Sequence, residues 1–416
     1  MAAAPESAEP SKGLIGWIDR RFPLTALWRS QVAEYYAPKN FNFWYYMGSL
    51  AMLVLVLQLV TGIFLTMNYK PSAAEAFASV EYIMRDVSWG WLIRYMHSTG
   101  ASAFFILVYL HMFRSLLYGS HRKPRELLWI FGCLLFVALM AEAFLGYVLP
   151  WGNMSFWGAQ VIVSLFGSLP VVGGALVDWI RGDFVIADPT LNRFFALHVA
   201  ALPLALVFLM IAHLMALHEV GSNNPDGIEI HEHNGPDGHP LDGIPFHPYY
   251  SVKDLLGVMG FLLLFCGVIF FAPTLGGLFL EAPNFEPANP MQTPPHIAPV
   301  WYFTPFYAML RAVPSFAGTQ IWGVMVMGAA VGVLFFLPWL DHAPVKSIRY
   351  RGPIYKVMLT VFVASFFVLG LCGLRPPSGI YPTLAKVCTV LYFAFFVLMP
   401  WYSRIDRVKP VPERVS

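Results

Sequence analysis

Eight apolar runs, each long enough to cross a lipid bilayer, constrain the fold of this chain more than any other feature. A helix rises about 1.5 Å per residue, so about 20 apolar residues cross a hydrocarbon core about 30 Å thick. Of the 416 residues, 57% are hydrophobic and 12% are charged, which is about half the charged share of a soluble protein. The sequence therefore predicts an all-α integral membrane protein with eight transmembrane helices in contact with lipid. We place the runs at residues 42–68, 92–119, 127–149, 190–218, 254–273, 317–339, 354–373 and 384–403.

The distribution of basic residues orients these spans. An even number of spans returns both termini to one side, and the positive-inside rule identifies that side as the cytoplasm. With this orientation 18 Lys and Arg lie inside and 8 lie outside, out of 26. We therefore expect both termini in the cytoplasm. The net charge of +2 gives no indication of a nucleic-acid partner.

Two pairs of histidines lie inside apolar runs, where ionisable side chains are costly and indicate function. His97 and His111 are fourteen residues apart, and His198 and His213 are fifteen apart. Fourteen helical residues span about 21 Å, which excludes a single tetrahedral metal site for all four rings. Two facing antiparallel helices would instead bring together His97 with His198, the outer pair, and His111 with His213, the inner pair. This arrangement predicts two non-covalent b-type haems, each with two axial histidines on its iron.

Four glycines repeat the same spacing on neighbouring runs. Gly48 and Gly62 are fourteen residues apart in the first run, and so are Gly132 and Gly146 in the third. A porphyrin edge between two helices needs positions without a Cβ at the level of each ring. Close helix packing explains small residues in general, but it does not explain the shared period, so we favour contact with haem.

Two arginines flank the histidines of the second run, each three residues outward. Arg94 and Arg114 can each meet a haem propionate with two hydrogen bonds. Ordinary basic flanking of a span is the alternative for Arg114. Arg94 lies on the outer side, against that rule, which favours the propionate role.

The spacing of His198 and His213 is irregular. Its extra residue adds about 100° of rotation on a regular helix. We predict that a π-bulge, or a kink linked to Pro203, absorbs this residue and keeps His213 facing the inner haem.

Longer motifs carry a resemblance to a known family. With the histidines and glycines, the stretches TGIFLTMNY, PWGNMSFWGAQVI, HEVGSNNP, PFHPYYSVKD and TPPHIAPVWYF make the chain similar to cytochrome b of the quinol–cytochrome c oxidoreductases, respiratory Complex III. The loop at 225–245 resembles that of proteobacterial members, which implies a bacterial inner membrane. The resemblance also implies a dimeric complex. Because the chain has no CxxC or CxxCH spacing, a Rieske iron–sulfur protein and a cytochrome c-type subunit are expected as partners.

The function implied by the resemblance is electron transfer between two quinone sites, coupled to proton translocation. Ubiquinol would be oxidised near the outer haem, electrons would cross through both haems, and quinone would be reduced near the inner haem. The implied residues are Tyr147, Gly158, Pro299, Trp301 and Tyr302 at the oxidation site, and His218, Ser222, Lys253 and Asp254 at the reduction site. Apart from the family, a histidine near neutrality and a carboxylate at a span's cytoplasmic end can relay protons, although a helix-end ion pair is the plainer interpretation.

One position departs from the family's pattern. Many relatives carry an acidic residue between the proline and the tryptophan of Pro-x-Trp-Tyr, where this chain has Val300. Valine cannot accept a proton from quinol. We therefore predict that Glu281 accepts it, with Glu286 as the second candidate.

The expected organisation of the chain follows from these assignments, and two other functions remain as alternatives. One is a dihaem b anchor of another quinone-linked oxidoreductase, and the other is a transporter that uses the histidines as a proton relay. Short surface helices are expected in the outer connections. The expected parts are an N-terminal tail with an amphipathic surface helix (1–40), a four-helix bundle with two stacked haems (41–220), a cytoplasmic loop (221–252), a four-span domain with the quinol-site loop (253–403) and a C-terminal tail (404–416).

Overall fold

The computed structural model describes residues 13–315 and 319–415, and within them nearly all regular structure is helical. The first twelve residues of the predicted tail, and residues 317 and 318 of the sixth predicted span, lie outside this range. The described chain begins with α1 (Gly13–Asp19) and α2 (Leu24–Trp28). Both expose large apolar side chains, among them Leu14, Trp17 and Trp28, as a helix lying on a membrane surface would.

The first half of the chain forms a bundle of long apolar helices. In it α3 packs against α5, and α6 packs against α10. Helix α5 ends where Gly119 adopts a φ of 68°, a left-handed conformation that glycine takes readily. The elements are strand β1 (Tyr36–Pro38) and helices α3 (Tyr46–Thr66), α4 (Ala76–Arg85), α5 (Gly90–Tyr118), α6 (Glu126–Val148), α7 (Asn153–Phe166), α8 (Gly173–Arg181), α9 (Asp188–Ala196) and α10 (Leu202–Val220).

The second half packs further long helices against the first bundle, and a core of buried apolar residues joins the two halves. Strand β2 (Gly243–Pro245) pairs antiparallel with β1. The helices are α11 (Phe246–Phe271), α12 (Thr304–Ala312), α13 (Ile321–Leu340), α14 (Pro353–Leu374), α15 (Tyr381–Val397) and α16 (Met399–Ile405). Single π-helical turns cover Arg29–Ala33 and Leu197–Ala201, and 3₁₀ turns cover Phe43–Tyr45, Ile230–Glu232, Leu275–Gly277, Ala282–Phe285 and Trp301–Phe303.

The predicted fold class is confirmed, with one change to the last span. In the described chain seven helices are long and apolar enough to cross a membrane, and the span 188–220 combines α9, the π-turn and α10. The eighth run folds as α15 and α16, which are bent by 60° relative to each other. Pro400 lies in the first turn of α16, where its missing N–H prevents one continuous helix. The short helices α7 and α8 occupy the first long outer connection, as predicted.

Segments from both ends of the chain meet at one end of the bundle. Asp242, in the loop before α11, lies 3.0 Å from Lys39 Nζ and accepts a hydrogen bond of 2.7 Å from Arg414 Nε. The Arg414 guanidinium and the Lys39 ammonium hold the pKa of this carboxyl well below its usual range. The C-terminal end of α5 is at the same end of the bundle, because Tyr118 accepts hydrogen bonds from the side-chain amides of Asn42 and Asn223. The His111 end of α5 and the segments before α3 and after α16 therefore share one side.

Candidate functional site

The outer histidine pair faces a cavity of about 630 Å³ between the first-bundle helices. His97 on α5 and His198 in the π-turn have ring centroids 6.1 Å apart and nearly perpendicular ring planes, at 87°. Nδ1 of His97 donates to Thr61 Oγ1 at 3.0 Å, since the Thr61 hydroxyl itself donates to a backbone carbonyl. Nδ1 of His198 donates to the carbonyl of Glu142 at 2.9 Å. Within the described chain neither Nε2 has a protein hydrogen-bond partner, so this nitrogen of each ring is left for a ligand.

The inner histidines also face each other, one level further along the bundle, but within the described chain the Nδ1 of neither ring has a hydrogen-bond partner. The ring centroids of His111 and His213 are 6.3 Å apart, with the planes at 69°. Of the two flanking arginines, Arg94 lines the outer cavity. Arg114 donates to the carbonyl of Asn223 at 2.9 Å, which ties the inner end of α5 to the loop after α10.

A π-helical turn accommodates the fifteen-residue spacing, and the prediction of a π-bulge is confirmed. The turn covers Leu197–Ala201 and contains His198 itself. Pro203 lies two residues after the end of this turn and has no N–H to donate to the carbonyl of Val199, four residues earlier. The wider turn adds one residue without rotating His213 out of the bundle.

Each of the four repeated glycines lies against one histidine ring. A Cβ built on Gly48 would be 3.1 Å from Cε1 of His111, on Gly62 3.3 Å from Cε1 of His97, and on Gly132 3.4 Å from Cε1 of His213. At Gly146 the Cβ would overlap the ring of His198. Free Nε2 atoms at the outer pair, a cavity beside them and positions without side chains fit a flat group with a histidine on each side. At the inner pair the facing rings and the two glycines repeat part of this arrangement.

A valine at Gly146 is expected to prevent stable binding of haem at the outer histidine pair, because the branched side chain of valine would occupy the space of the His198 ring. Gly267 is the matched control, since nothing lies within 4 Å of a Cβ built there. The measurement is the haem content per purified complex. We expect Gly146→Val to lose about half of the b-type haem and Gly267→Val to lose none, and full haem content in Gly146→Val would contradict the assignment.

The predicted oxidation-site residues gather only in part around the outer cavity. Tyr147, Val300 and Tyr302 line it, and Tyr147 Oη donates to Glu281 Oε2 at 3.1 Å. Burial raises the pKa of Glu281 to about 7, against the opposing effect of the Tyr147 hydrogen bond. The carboxylate can therefore exchange protons near neutrality, while Glu286 is exposed.

Three other predicted residues do not line the described cavity: Gly158, Pro299 and Trp301. Open space surrounds Gly158. The indole N–H of Trp301 donates to Ser102 Oγ at 3.1 Å and holds the loop against α5.

The predicted reduction-site residues form two groups near the inner pair. The ring of His218 stacks on Tyr35 at 4.5 Å, and Tyr35 Oη lies 2.8 Å from Ser222 Oγ. Asp254 accepts hydrogen bonds of 3.2 Å from Tyr45 Oη and Ser49 Oγ. Lys253 lies over the ring of Tyr250, which contacts Tyr45. Ser49 directly follows Gly48, which faces the His111 ring, so the Asp254 group lies at the level of the inner pair.

Comparison with known proteins identifies the family. Residues 32–221 match the family described as cytochrome b/b6/petB, and residues 287–393 match cytochrome b (C-terminal)/b6/petD. The chain is 65% identical over 416 residues to a cytochrome b of Allochromatium vinosum, covering 99% of this chain and 100% of that protein. The chain belongs to the cytochrome b family. A cytochrome b of Rhodospirillum rubrum is 47% identical over 401 residues, covering 96% and 95% of the two chains.

A solved structure supports the same conclusion. A chain of a hyperthermophilic respiratory Complex III superimposes with a TM-score of 0.86 at 39% identity, covering 94% of this chain and 99% of that one. As a cytochrome b of the proteobacterial type, the chain is an integral membrane protein that binds haem b and transfers electrons in quinol oxidation. The oxidoreductase activity belongs to a multi-subunit complex, which disfavours the transporter alternative.

Sequence reasoning missed several polar residues that position this cytochrome b's ligands. Glu142 was the most accessible to prediction, because it is a carboxylate inside the third apolar run. The others are serine, threonine or tyrosine hydroxyls whose partners lie on distant segments of the chain. They are Tyr35, Tyr45, Ser49 and Thr61.

Proposed function

We propose that the chain is the dihaem subunit of a quinol–cytochrome c oxidoreductase in a bacterial inner membrane, with both termini cytoplasmic. The observation that carries this proposal is the pair of facing histidines at each of two levels, with a glycine against each ring. His97 and His198 would ligate the outer haem iron, and His111 and His213 the inner one. When bound, the haems supply one-electron carriers between the two quinone sites. Arg94 and Arg114 would meet their propionates.

At the outer site the protein must remove two protons as ubiquinol loses two electrons. One electron leaves to an iron–sulfur partner and the other crosses the membrane through the bundle. Glu281 can accept a quinol proton as a carboxylate and release it outside, because its pKa lies near 7. Tyr147, which lines the cavity, donates a hydrogen bond to that carboxylate. The buried Val300 contributes apolar surface that excludes water.

At the inner site the protein must deliver two protons as quinone gains two electrons. His218 and Asp254 are the two candidate donors, each held by hydroxyl or aromatic partners from the N-terminal segments. Ser222 can hydrogen-bond a quinone oxygen, and Lys253 places a positive charge near the Asp254 group. Uptake on this side and release on the other would contribute to a proton gradient.

Asparagine at Asp254 is expected to slow quinone reduction about 10²-fold, because it keeps the shape of the side chain but cannot exchange a proton. The measurement is the rate at which quinone reoxidises the b-type component in isolated membranes. Asp237→Asn, in the exposed loop, is the control. An unchanged rate in Asp254→Asn would remove this residue from the proton path.

The remaining expectations about organisation belong to the same proposal. Residues 41–220 would form the dihaem unit and 253–403 the domain with the quinol-site loop, while 1–40, 221–252 and 404–416 would be cytoplasmic. The partners would be a Rieske iron–sulfur protein and a cytochrome c-type subunit in a homodimeric complex. The four cysteines stand singly in the sequence, so this chain offers no iron–sulfur ligand set of its own.

The proposal is tested by a redox titration of the b-type absorption band in the purified complex. Two components of different midpoint potential are expected, in equal amounts. A single component, or a complex without a b-type band, would contradict the dihaem assignment.

A further inference from the structure

Glu142 is a carboxylate in the apolar interior of α6, and it lies against the outer histidine. Its Oε1 is 3.0 Å from Nδ1 of His198, the same nitrogen that donates to the Glu142 backbone carbonyl at 2.9 Å. Its Oε2 is buried and has no hydrogen-bond partner among the described residues. Within the described chain no lysine or arginine pairs with it. A carboxylate at membrane depth is costly and is retained for a function.

The fourteen-residue repeat of α6 offers an internal comparison. Glu142 precedes Gly146 by four residues, and Leu128 precedes Gly132 by four, so both lie on the helix face that meets a histidine ring. The backbone of Leu128 interacts with His213, although its geometry falls short of a full hydrogen bond. The backbone therefore approaches the ring at both levels. Only at the outer level does the side chain add a negative charge.

The other outer ligand lacks such a charge. His97 donates to the hydroxyl oxygen of Thr61, a neutral group. Within the described chain Nδ1 of His111 has no hydrogen-bond partner. In the part of the chain that the structure describes, His198 is the only one of the four rings within hydrogen-bond distance of a carboxylate.

We propose that Glu142 is a positioning residue that fixes the His198 ring and lowers the midpoint potential of the outer haem relative to the inner one. This inference rests on the dihaem function proposed above. An imidazole that shares its Nδ1 proton with a carboxylate donates more strongly to the metal through Nε2. Stronger donation and a nearby negative charge both stabilise ferric over ferrous iron. The difference between Glu142 and Leu128 thus favours electron flow from the outer to the inner level.

The test is the redox titration of the b-type band in complexes carrying Glu142→Gln or Glu142→Ala. Glutamine keeps the shape of the side chain and removes the charge, and alanine removes both. We expect the outer component to shift at least tenfold toward the ferrous form, which is about 59 mV upward for one electron, with the inner component unchanged. Glu126→Gln, at the far end of the same helix, is the matched control and should shift neither component.

The variants also separate this inference from the function on which it rests. Two components that titrate as in the control in both Glu142 variants would overturn the role of Glu142 and leave the dihaem function intact. A wild-type complex without two components would instead overturn the dihaem function. Glu142→Asp, which keeps the charge, covers the case in which the neutral variants lose the outer haem. Retention of the outer haem in Glu142→Asp alone would support the role of the charge. Equal loss of the outer haem in the glutamine, alanine and aspartate variants would overturn it.

Discussion

Leucine at His198 is expected to remove the outer b-type component from the complex and to leave the inner component in place. Leucine has no nitrogen to donate to iron, and the other ring, His97, can supply only one of the two axial ligands. The rate at which quinol reduces the inner component by way of the outer haem should also fall. The decrease should exceed about 10–100-fold, which is typical of losing a residue that only hydrogen-bonds to a metal ligand. Redox titration and haem content measure both effects. His213→Leu should produce the converse loss, of the inner component.

The control for these two variants is His233→Leu, in the exposed loop between α10 and α11. It should retain both components, because within the described chain its ring has no contact with either histidine pair. If His198→Leu kept both components, or lost both in an assembled complex, the pairing of His97 with His198 would be wrong.

The positions of the spans and the histidine frame could be predicted because each depends on a local period. Apolar runs give span positions to within a few residues, apart from the start of α11, which begins at Phe246 rather than at 254. The fifteen-residue spacing predicts a π-bulge or a kink, because the extra residue would otherwise rotate His213 away from the helix face of His198, and the structure has the π-turn. The bend between α15 and α16 also has a local cause in Pro400.

The contacts that complete the sites depend on packing between distant segments and could not be predicted from one sequence. Tyr147 and Glu281 are 134 residues apart, and no pattern in either segment specifies that they meet. The same is true of Tyr35 and Ser222, which are 187 residues apart. The sequence predicts the loop 221–252 as a cytoplasmic connection and nothing more, whereas β2 and Asp242 join it to the segments before α3 and after α16.

Glutamine at Glu281 is expected to slow quinol oxidation by about 10²–10⁴-fold, the usual contribution of a positioned general base. Only the ionised carboxyl accepts a proton, so the wild-type rate should rise as pH increases through about 7, the pKa to which burial raises Glu281. Glutamine cannot ionise, so this rise should disappear in Glu281→Gln. The measurement is the steady-state rate of quinol–cytochrome c reduction between about pH 5.5 and about pH 9, since the acidic half of the profile carries the ionisation. In Glu281→Gln both b-type haem components should keep their wild-type midpoint potentials.

Two further variants decide whether the effect belongs to the Glu281 carboxylate. Glu286→Gln, at the exposed second candidate, should keep both the rate and the pH profile, and the reverse result would transfer the role to Glu286. Tyr147→Phe removes the hydrogen bond that stabilises the ionised form of Glu281. Its loss should therefore raise the pKa of Glu281 and move the rise in rate to higher pH. A wild-type profile in Tyr147→Phe together with a wild-type rate in Glu281→Gln would show that the proton of quinol leaves by another group.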